Sequence, residues 1–319
     1  MNKQGRRPLL RGGLTGLAGL ALPRIAEWGN AASARTAAGS PPAFKLGLVT
    51  YELAKNWDIE TIIKNCVITG FEAVELRTTH RHGVEISLSK EQRVEIRKWF
   101  QDSPLRLLSL GTTCEYHYAD TAAVERRVEE TKQWCELARD LGCLGVKVRP
   151  NSFVKDVPQE KTLEQIGKAL RECGEAASSN GVEIWVEVHG AGTEHPPHMR
   201  RMMDIADHPS VGICWNSNDA DVKNGSVREY LELLKLWIRN CHINELWRTL
   251  GPGERGASRA PDQTTPGFPS YARPYPYREL FQLLRTAGYD RYTLAEVPES
   301  CEPIRFMRYY RAMWEALAA

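Results

Sequence analysis

The chain has 319 residues, 42% hydrophobic and 26% charged, with a formal net charge of +2. This length and composition are ordinary for a globular protein and sufficient for one large core. The near-neutral charge gives no reason to expect nucleic acid or an anionic membrane as a partner. Beyond the first residues, no apolar stretch approaches the roughly 20 residues that span a bilayer. The eight cysteines are scattered without a C-x-x-C pair, so buried thiols are the preferred interpretation and disulfides stay open.

The amino-terminal segment differs from the rest of the chain. Arg6 and Arg7 precede a glycine-diluted apolar run and then Ala32-Ser33-Ala34, which is typical of an export signal of the twin-arginine type over residues 1–34. A disordered basic tail is the alternative. Without residues 1–34, which hold five basic residues and one acidic residue, the chain carries 37 basic and 39 acidic residues and a net charge of −2. We therefore expect an exported protein with a linker at 35–43 and a folded domain at 44–319.

Strand-like and helix-like segments alternate through that domain. Amphipathic segments of helical period include 58–69, 122–141, 163–179 and 227–236, and Gly70, Gly142, Gly181 and Gly288 follow helical patterns as C-caps would. Eight strand–helix units in this length predict a single-domain (β/α)8 TIM barrel. The predicted strands are 45–50, 73–77, 106–110, 145–149, 183–188, 212–215, 238–243 and 292–297.

Two features qualify this prediction. A doubly wound open sheet is the rival fold, but no G-x-G-x-x-G motif opens the first helix. A long Pro-, Gly- and charge-rich loop at 249–275 follows the seventh strand. Loops of this length in compact domains are often functional, so we interpret it as a lid over the site, with a tolerated surface insertion as the alternative.

Metal-binding types of side chain stand at or just past four predicted strand ends. In a TIM barrel these ends converge on one rim, so residues distant in sequence can share a site. Two carboxylates, an imidazole and an amide oxygen suit a divalent cation such as Mn²⁺, Mg²⁺, Co²⁺ or Zn²⁺. The four residues are Glu187, Asn216, His242 and Glu296.

Each of these residues also has a structural interpretation. With Trp185 assigned to the helix-facing side, we expect Glu187 and His189 to line the barrel interior. A glutamate there is costly unless it is paired or metal-bound, and a structural ion pair is the alternative for Glu187 and Glu296. His242 alone could be a hydrogen-bonded core residue, and Asn216 alone a turn residue. Because four independent strand ends offer compatible ligands, we favour the metal site.

Earlier strand ends supply further polar residues. Arg149 and His189 are candidate donors to substrate hydroxyl or carbonyl groups, and Tyr51 could stack on a face of the substrate. Glu75, His117 and Lys147 would complete a substrate pocket. The H-x-H pair His80 and His82 could bind metal, although an exposed loop pair is more often without function. Two acids in the eighth loop, Glu299 and Glu302, would repel a phosphate dianion, so we expect a substrate without phosphate.

Over essentially the whole region after the signal, the chain resembles the sugar phosphate isomerase/epimerase superfamily of xylose isomerase-like barrels. The family pattern is Glu on the fifth strand, Asp in a D-x-x-H motif on the sixth, His on the seventh and Glu on the eighth. It maps onto Glu187, Asn216, His242 and Glu296. Two departures are that Asn216 replaces the Asp ligand and Asp219 replaces the histidine of D-x-x-H, where Asp219 could restore a nearby carboxylate. Ketose epimerases of the family use an arginine six residues beyond the metal histidine, and Arg248 stands there.

A divalent ion in such a site polarises a sugar carbonyl and its neighbouring hydroxyl, so a carboxylate can remove the adjacent proton and the ion stabilises the enediolate. We predict Glu187 and Glu296 as the base and acid of a sugar isomerase or epimerase. A lyase or hydratase acting on 3-keto-glycosides by the same chemistry is the first alternative, and a non-catalytic sugar-binding barrel the second. An abasic-site nuclease is disfavoured, because no histidine follows His242. A homo-oligomer is compatible with the sequence.

Overall fold

The computed structural model describes residues 44–250 and 275–319. Within them, eight parallel strands form a closed barrel in chain order, because β1 pairs with both β2 and β8. The predicted (β/α)8 TIM barrel is confirmed. The rival open sheet is wrong, since an open sheet leaves two unpaired edge strands. The strands are β1 (Lys45–Val49), β2 (Ala73–Arg77), β3 (Arg106–Gly111), β4 (Gly145–Val148), β5 (Glu183–Glu187), β6 (Val211–Asn216), β7 (Ile238–Ile243) and β8 (Tyr292–Ala295).

Helices pack around this barrel and bury the outward side chains of the strands. The α-helices are α1 (Ile59–Thr69), α2 (Lys90–Gln101), α3 (Thr121–Leu141), α4 (Gln159–Ser179), α5 (Pro196–Ala206), α6 (Arg228–Leu234), α7 (Tyr277–Thr286) and α8 (Pro303–Ala318). Short 3₁₀ helices lie at Asp219–Asp221, Lys235–Trp237 and Leu246–Leu250.

Helix ends follow from local chemistry. The Asp58 side chain accepts a hydrogen bond from the backbone N–H of Thr61 at 2.9 Å and so caps α1. Gly70 and Gly142 end α1 and α3 with φ of 75° and 78°, a left-handed conformation that glycine adopts without steric cost. The predicted glycine stops are thereby confirmed at these two positions, and each returns the chain to the next strand.

A small apolar cluster lies inside the barrel, and Trp185 belongs to it instead of facing the helices. It packs with Val49, Leu108, Cys214 and Leu294, all at most 1% exposed. Our prediction for Trp185 was wrong, because positions two apart on a strand share a face. Trp185 and Glu187 therefore both point inward, with the indole nearer the amino end of the strand and the carboxylate nearer the carboxyl end.

Some of the remaining predictions concern residues that the structure describes, and others concern residues outside them. Seven of the eight cysteines are buried free thiols and Cys301 is exposed, which confirms the preferred interpretation. No helix among residues 44–250 and 275–319 is long and apolar enough to cross a bilayer. The predicted export signal (1–34), the linker (35–43) and most of the predicted lid (249–275) lie outside the described residues.

Candidate active site

At the carboxyl ends of the strands, ionisable side chains point into the barrel. Glu187 ends β5, His242 lies near the end of β7, and Glu296 directly follows β8. One ligand atom from each of these three lies within 4.8 Å of the others. His242 Nδ1 is 3.5 Å from Glu187 Oε1 and 3.7 Å from Glu296 Oε2. The structure thus brings together three of the four residues predicted as metal ligands.

The surroundings of His242 fit a bound cation. The ring is fully buried, and neither of its nitrogens has a hydrogen-bond partner among the described residues. Burial lowers the pKa of His242, but Cys214, Glu75 and Glu187 raise it well above its usual range. Carboxylates around an imidazole attract positive charge, and two glutamates with one histidine form a donor set that divalent ions accept. This set fits a divalent metal ion.

Asn216, the fourth predicted ligand, lies beside this group but makes amide hydrogen bonds. Its Nδ2 donates to Glu187 Oε1 at 3.3 Å, and its Oδ1 accepts from Asn244 Nδ2 at 3.1 Å. The amide therefore turns its donor side toward the carboxylate. Coordination by Asn216 stays a prediction that requires this amide to turn its oxygen toward the ion.

Two further buried charged residues complete the group. Lys147 on β4 places Nζ 2.7 Å from Glu187 Oε2, and Lys147 is 1% exposed and Glu187 3%. Glu75 on β2 lies 3.3 Å from His242 Nε2 and accepts a hydrogen bond from Ser109 at 2.8 Å. Burial raises the pKa of Glu187, but Lys147 and His242 together pull it well below its usual range. Burial raises the pKa of Glu75, but His242, Lys147 and Ser109 together lower it.

Glu75 and Lys147 were both predicted as polar residues of the substrate pocket, without a specific role for Lys147. The structure places Glu75 directly against His242. The signal for Lys147 was present, because a charged residue between Val146 and Val148 in an apolar strand resembles the setting of Glu187. The alternation of side chains along the strand shows that Lys147 points inward, but it does not show which carboxylate its ammonium group contacts.

Gly111 at the end of β3 leaves the space that Glu75 occupies. Gly111 pairs with Arg77 on one side and with Lys147 on the other. A Cβ at this position would lie 2.7 Å from Glu75 Oε1 and 3.0 Å from Arg77 Cγ. The absence of a side chain on β3 thus allows the carboxylate on β2 to reach the imidazole on β7.

The predicted substrate-binding residues lie on the same rim. Arg149 Nε is 3.6 Å from Glu115 Oε2, and the rings of His117 and His189 each have a buried Nδ1 without a hydrogen-bond partner in the described part of the chain. Such polar atoms are candidate contacts for substrate hydroxyl groups. Their role as substrate ligands stays a prediction.

Asp219 and Arg248 contact each other in an ion pair, so one departure from the family pattern lies against the arginine that matches it. The Arg248 guanidinium also lies over the Tyr275 ring at 5.6 Å from its centroid. Tyr275 accepts a hydrogen bond from Trp215 Nε1 at 3.1 Å and donates to Asp221 at 3.3 Å. Asp219 is thereby directed toward Arg248.

The H-x-H pair makes structural contacts. His82 Nε2 lies 2.8 Å from the carbonyl oxygen of Arg77, and His82 Nδ1 accepts from the Val84 N–H at 3.1 Å. Burial lowers the pKa of His82 to about 4. His80 Nδ1 contacts the Thr50 hydroxyl at 3.0 Å. These bonds support the structural interpretation over a metal pair.

Tyr51 lies at the edge of the site, half-buried, with the Arg77 guanidinium 5.1 Å from its ring centroid. Burial and the Glu296 carboxylate raise the pKa of its phenol, so the hydroxyl stays protonated at neutral pH. The ring is thus near the candidate metal group, and stacking on a sugar stays a prediction.

A closed TIM barrel with a Glu–His–Glu group on its carboxyl rim defines the class of this protein. The chain belongs to the xylose isomerase-like TIM barrel family, which it matches over residues 63–313. None of the curated proteins matches it.

Solved structures share the fold at low sequence identity. The apo form of the Escherichia coli 3-keto-D-glucoside 4-epimerase YcjR is 14% identical with a TM-score of 0.65, covering 86% of this chain and 99% of that one. The IolI protein with a bound zinc atom is 16% identical with a TM-score of 0.64, covering 86% and 98%. The probable 3-DHS dehydratase AsbF from Bacillus anthracis is 16% identical with a TM-score of 0.61, covering 85% and 98%. At such identities the likeness shows the fold alone.

Proposed function

We propose that this protein is a metal-dependent sugar isomerase or epimerase that moves a proton at the carbon next to a carbonyl group. The observation that carries the proposal is the buried group of Glu187, His242 and Glu296, whose ligand atoms lie within 4.8 Å of one another. These three residues would hold the ion, with Asn216 beside them. A bound divalent ion acts as a Lewis acid on the carbonyl and the neighbouring hydroxyl of the substrate.

The two glutamates differ in how firmly they are held. Both oxygens of Glu187 have partners, namely Lys147 at 2.7 Å and Asn216 at 3.3 Å. Glu296 has a 12% exposed side chain, and within the described residues its carboxylate forms one ion-pair contact, with His242 at 3.7 Å. A carboxylate that exchanges protons with a substrate needs an oxygen free to reach it. Glu296 is therefore proposed to remove the proton from carbon. Glu187 would hold the ion, and its predicted role as acid–base partner requires Oε1 to leave the Asn216 amide.

The family likeness supports a small carbohydrate substrate, since one structural neighbour is a 3-keto-D-glucoside 4-epimerase. The polar atoms of Arg149, His117 and His189 would orient its hydroxyl groups. Return of the proton to the same carbon gives an epimer, and return to the neighbouring carbon gives the aldose–ketose isomer. We further propose that the protein acts outside the cytoplasm, on the basis of the twin-arginine-type pattern in residues 1–34.

Solvent-deuterium exchange tests this proposal. Ketoses, aldoses and 3-keto-glycosides are incubated in D₂O with protein loaded with Mn²⁺, Co²⁺, Mg²⁺ or Zn²⁺, and deuterium at the carbon next to the carbonyl is followed by NMR and mass spectrometry. Exchange is expected with at least one substrate, and Glu296→Gln should abolish it. Lack of exchange across the panel with a protein that binds metal would refute the catalytic proposal and favour a sugar-binding barrel.

A lyase or hydratase acting on 3-keto-glycosides is the second candidate. It is favoured by the presence of a probable dehydratase among the structural neighbours. Proton removal next to the carbonyl would be followed by loss of a group from the β carbon. The same incubations decide between the two, because a lyase releases a free leaving group and an unsaturated ketone, whereas an isomerase conserves the atoms of its substrate.

A further inference from the structure

The four charged side chains that contact His242 or Glu187 together balance the charge of a divalent ion. Glu75, Glu187 and Glu296 supply three carboxylates near His242, and Lys147 supplies one ammonium group. With His242 neutral, as a metal ligand must be, these side chains carry two net negative charges. Lys147 is therefore part of the charge balance of the site and not only of the core.

The contact with Lys147 also gives the two oxygens of the Glu187 carboxylate different partners. Lys147 engages Oε2 at 2.7 Å, while Oε1 faces His242 Nδ1 at 3.5 Å. Both side chains are nearly fully buried, so the pair forms with little competition from water. A carboxylate held in this way offers one oxygen to an ion and cannot readily turn to offer both.

We propose that Lys147 is a positioning residue that holds Glu187 by one oxygen and, as a resident positive charge, limits how tightly the site binds its divalent ion. The inference rests on the proposed metal site. Two consequences follow for a variant that lacks this charge. The ion binds more tightly, because a repulsive charge has gone and Glu187 can offer both oxygens. Turnover falls, because the Glu187 carboxylate is no longer held in position by Lys147.

The experiment compares Mn²⁺ affinity by isothermal titration calorimetry in metal-stripped wild-type protein and three variants. Lys147→Met removes the charge, Lys147→Gln removes it but keeps a hydrogen-bond donor, and Lys147→Arg keeps it. We expect a dissociation constant at least about tenfold lower for the two neutral variants and within about threefold of wild type for the arginine variant. The deuterium-exchange rate should fall in the neutral variants despite the tighter binding.

Arg93→Met is the matched control, since it removes a partly buried positive charge that pairs with Asp140 at 2.9 Å between helices α2 and α3, outside the barrel interior. Its Mn²⁺ affinity should stay close to wild type. Circular dichroism checks folding, and if Lys147→Met fails to fold, Lys147→Gln decides the question. Unchanged or weaker Mn²⁺ binding by a folded neutral variant would overturn the inference while leaving the proposed function intact. Absence of Mn²⁺ binding by wild type would overturn both.

Discussion

Glu187 and Glu296 are both proposed metal ligands. The structure nevertheless predicts that replacing Glu187 lowers protein stability much more than replacing Glu296. Glu187→Gln removes the negative charge that faces the buried Lys147 ammonium at 2.7 Å. Glu296→Gln removes a carboxylate whose nearest charged neighbour, His242, is 3.7 Å away and whose side chain reaches the surface. Both variants should lose deuterium exchange, yet only the first leaves a buried charge without its counter-ion.

The expected loss in free energy of unfolding for each variant follows from this difference in buried charge. Removing one partner of a buried ion pair costs about 3–5 kcal/mol in the free energy of unfolding, because the remaining charge is left in a poorly solvating interior. A glutamine oxygen can still accept a hydrogen bond from Lys147, so we expect the lower end, about 3 kcal/mol, for Glu187→Gln. For Glu296→Gln we expect less than about 1 kcal/mol, the usual worth of a partly exposed contact.

Urea unfolding in the presence of EDTA measures both values without a contribution from bound metal. The double variant Glu187→Gln/Lys147→Met should recover most of the lost stability, since it removes both buried charges together. Equal losses for the two glutamine variants, or no recovery in the double variant, would show that Lys147 is not held by Glu187 in solution.

Three further predictions concern neighbouring residues. Asn216→Asp adds a carboxylate beside Glu187, so Mn²⁺ should bind about tenfold more tightly by calorimetry; weaker binding would contradict the charge argument. Gly111→Ala places a methyl group 2.7 Å from Glu75 Oε1, and should lower the free energy of unfolding by about 1–3 kcal/mol; unchanged urea curves would mean that Glu75 moves freely. Burial raises the pKa of Asp221 well above its usual range. The native state therefore holds this proton more tightly than the unfolded state, and stability is lost as the pH rises above the unfolded value of about 3.9. Asp221→Asn should gain stability relative to wild type between about pH 4 and 8 in urea titrations, and a pH-independent difference would refute the assignment.

The fold could be predicted because its signals are local and repeated. Apolar strands alternate with amphipathic helices, and all eight strands were placed within two residues of their observed ends. The largest helix error was the start of α4, which begins at Gln159 instead of 163. Its first three residues, Gln159, Glu160 and Lys161, are polar and exposed, so hydrophobic periodicity does not reveal them.

The sequence could indicate which residues group at the candidate site, but not which of their atoms contact one another. Strand ends converge on one rim in any TIM barrel, so Glu187, His242 and Glu296 could be grouped without coordinates. Whether Asn216 offers its oxygen or its nitrogen, and that Lys147 meets Glu187, depend on side-chain directions across neighbouring strands. Trp185 shows the same limit, since a large indole fits inside the barrel only because Gly145 beside it has no side chain, and a Cβ there would lie 2.4 Å from the ring.

That indole has a consequence for how protons leave the site. Trp185 and its apolar neighbours, all at most 1% exposed, lie beneath the carboxylates, and the closed ring of strands surrounds them. Within the described residues, a proton taken from a sugar at this site therefore has its most direct path to bulk water through the carboxyl rim. Substrate labelled with deuterium at the reacting carbon should accordingly retain part of its label in the product.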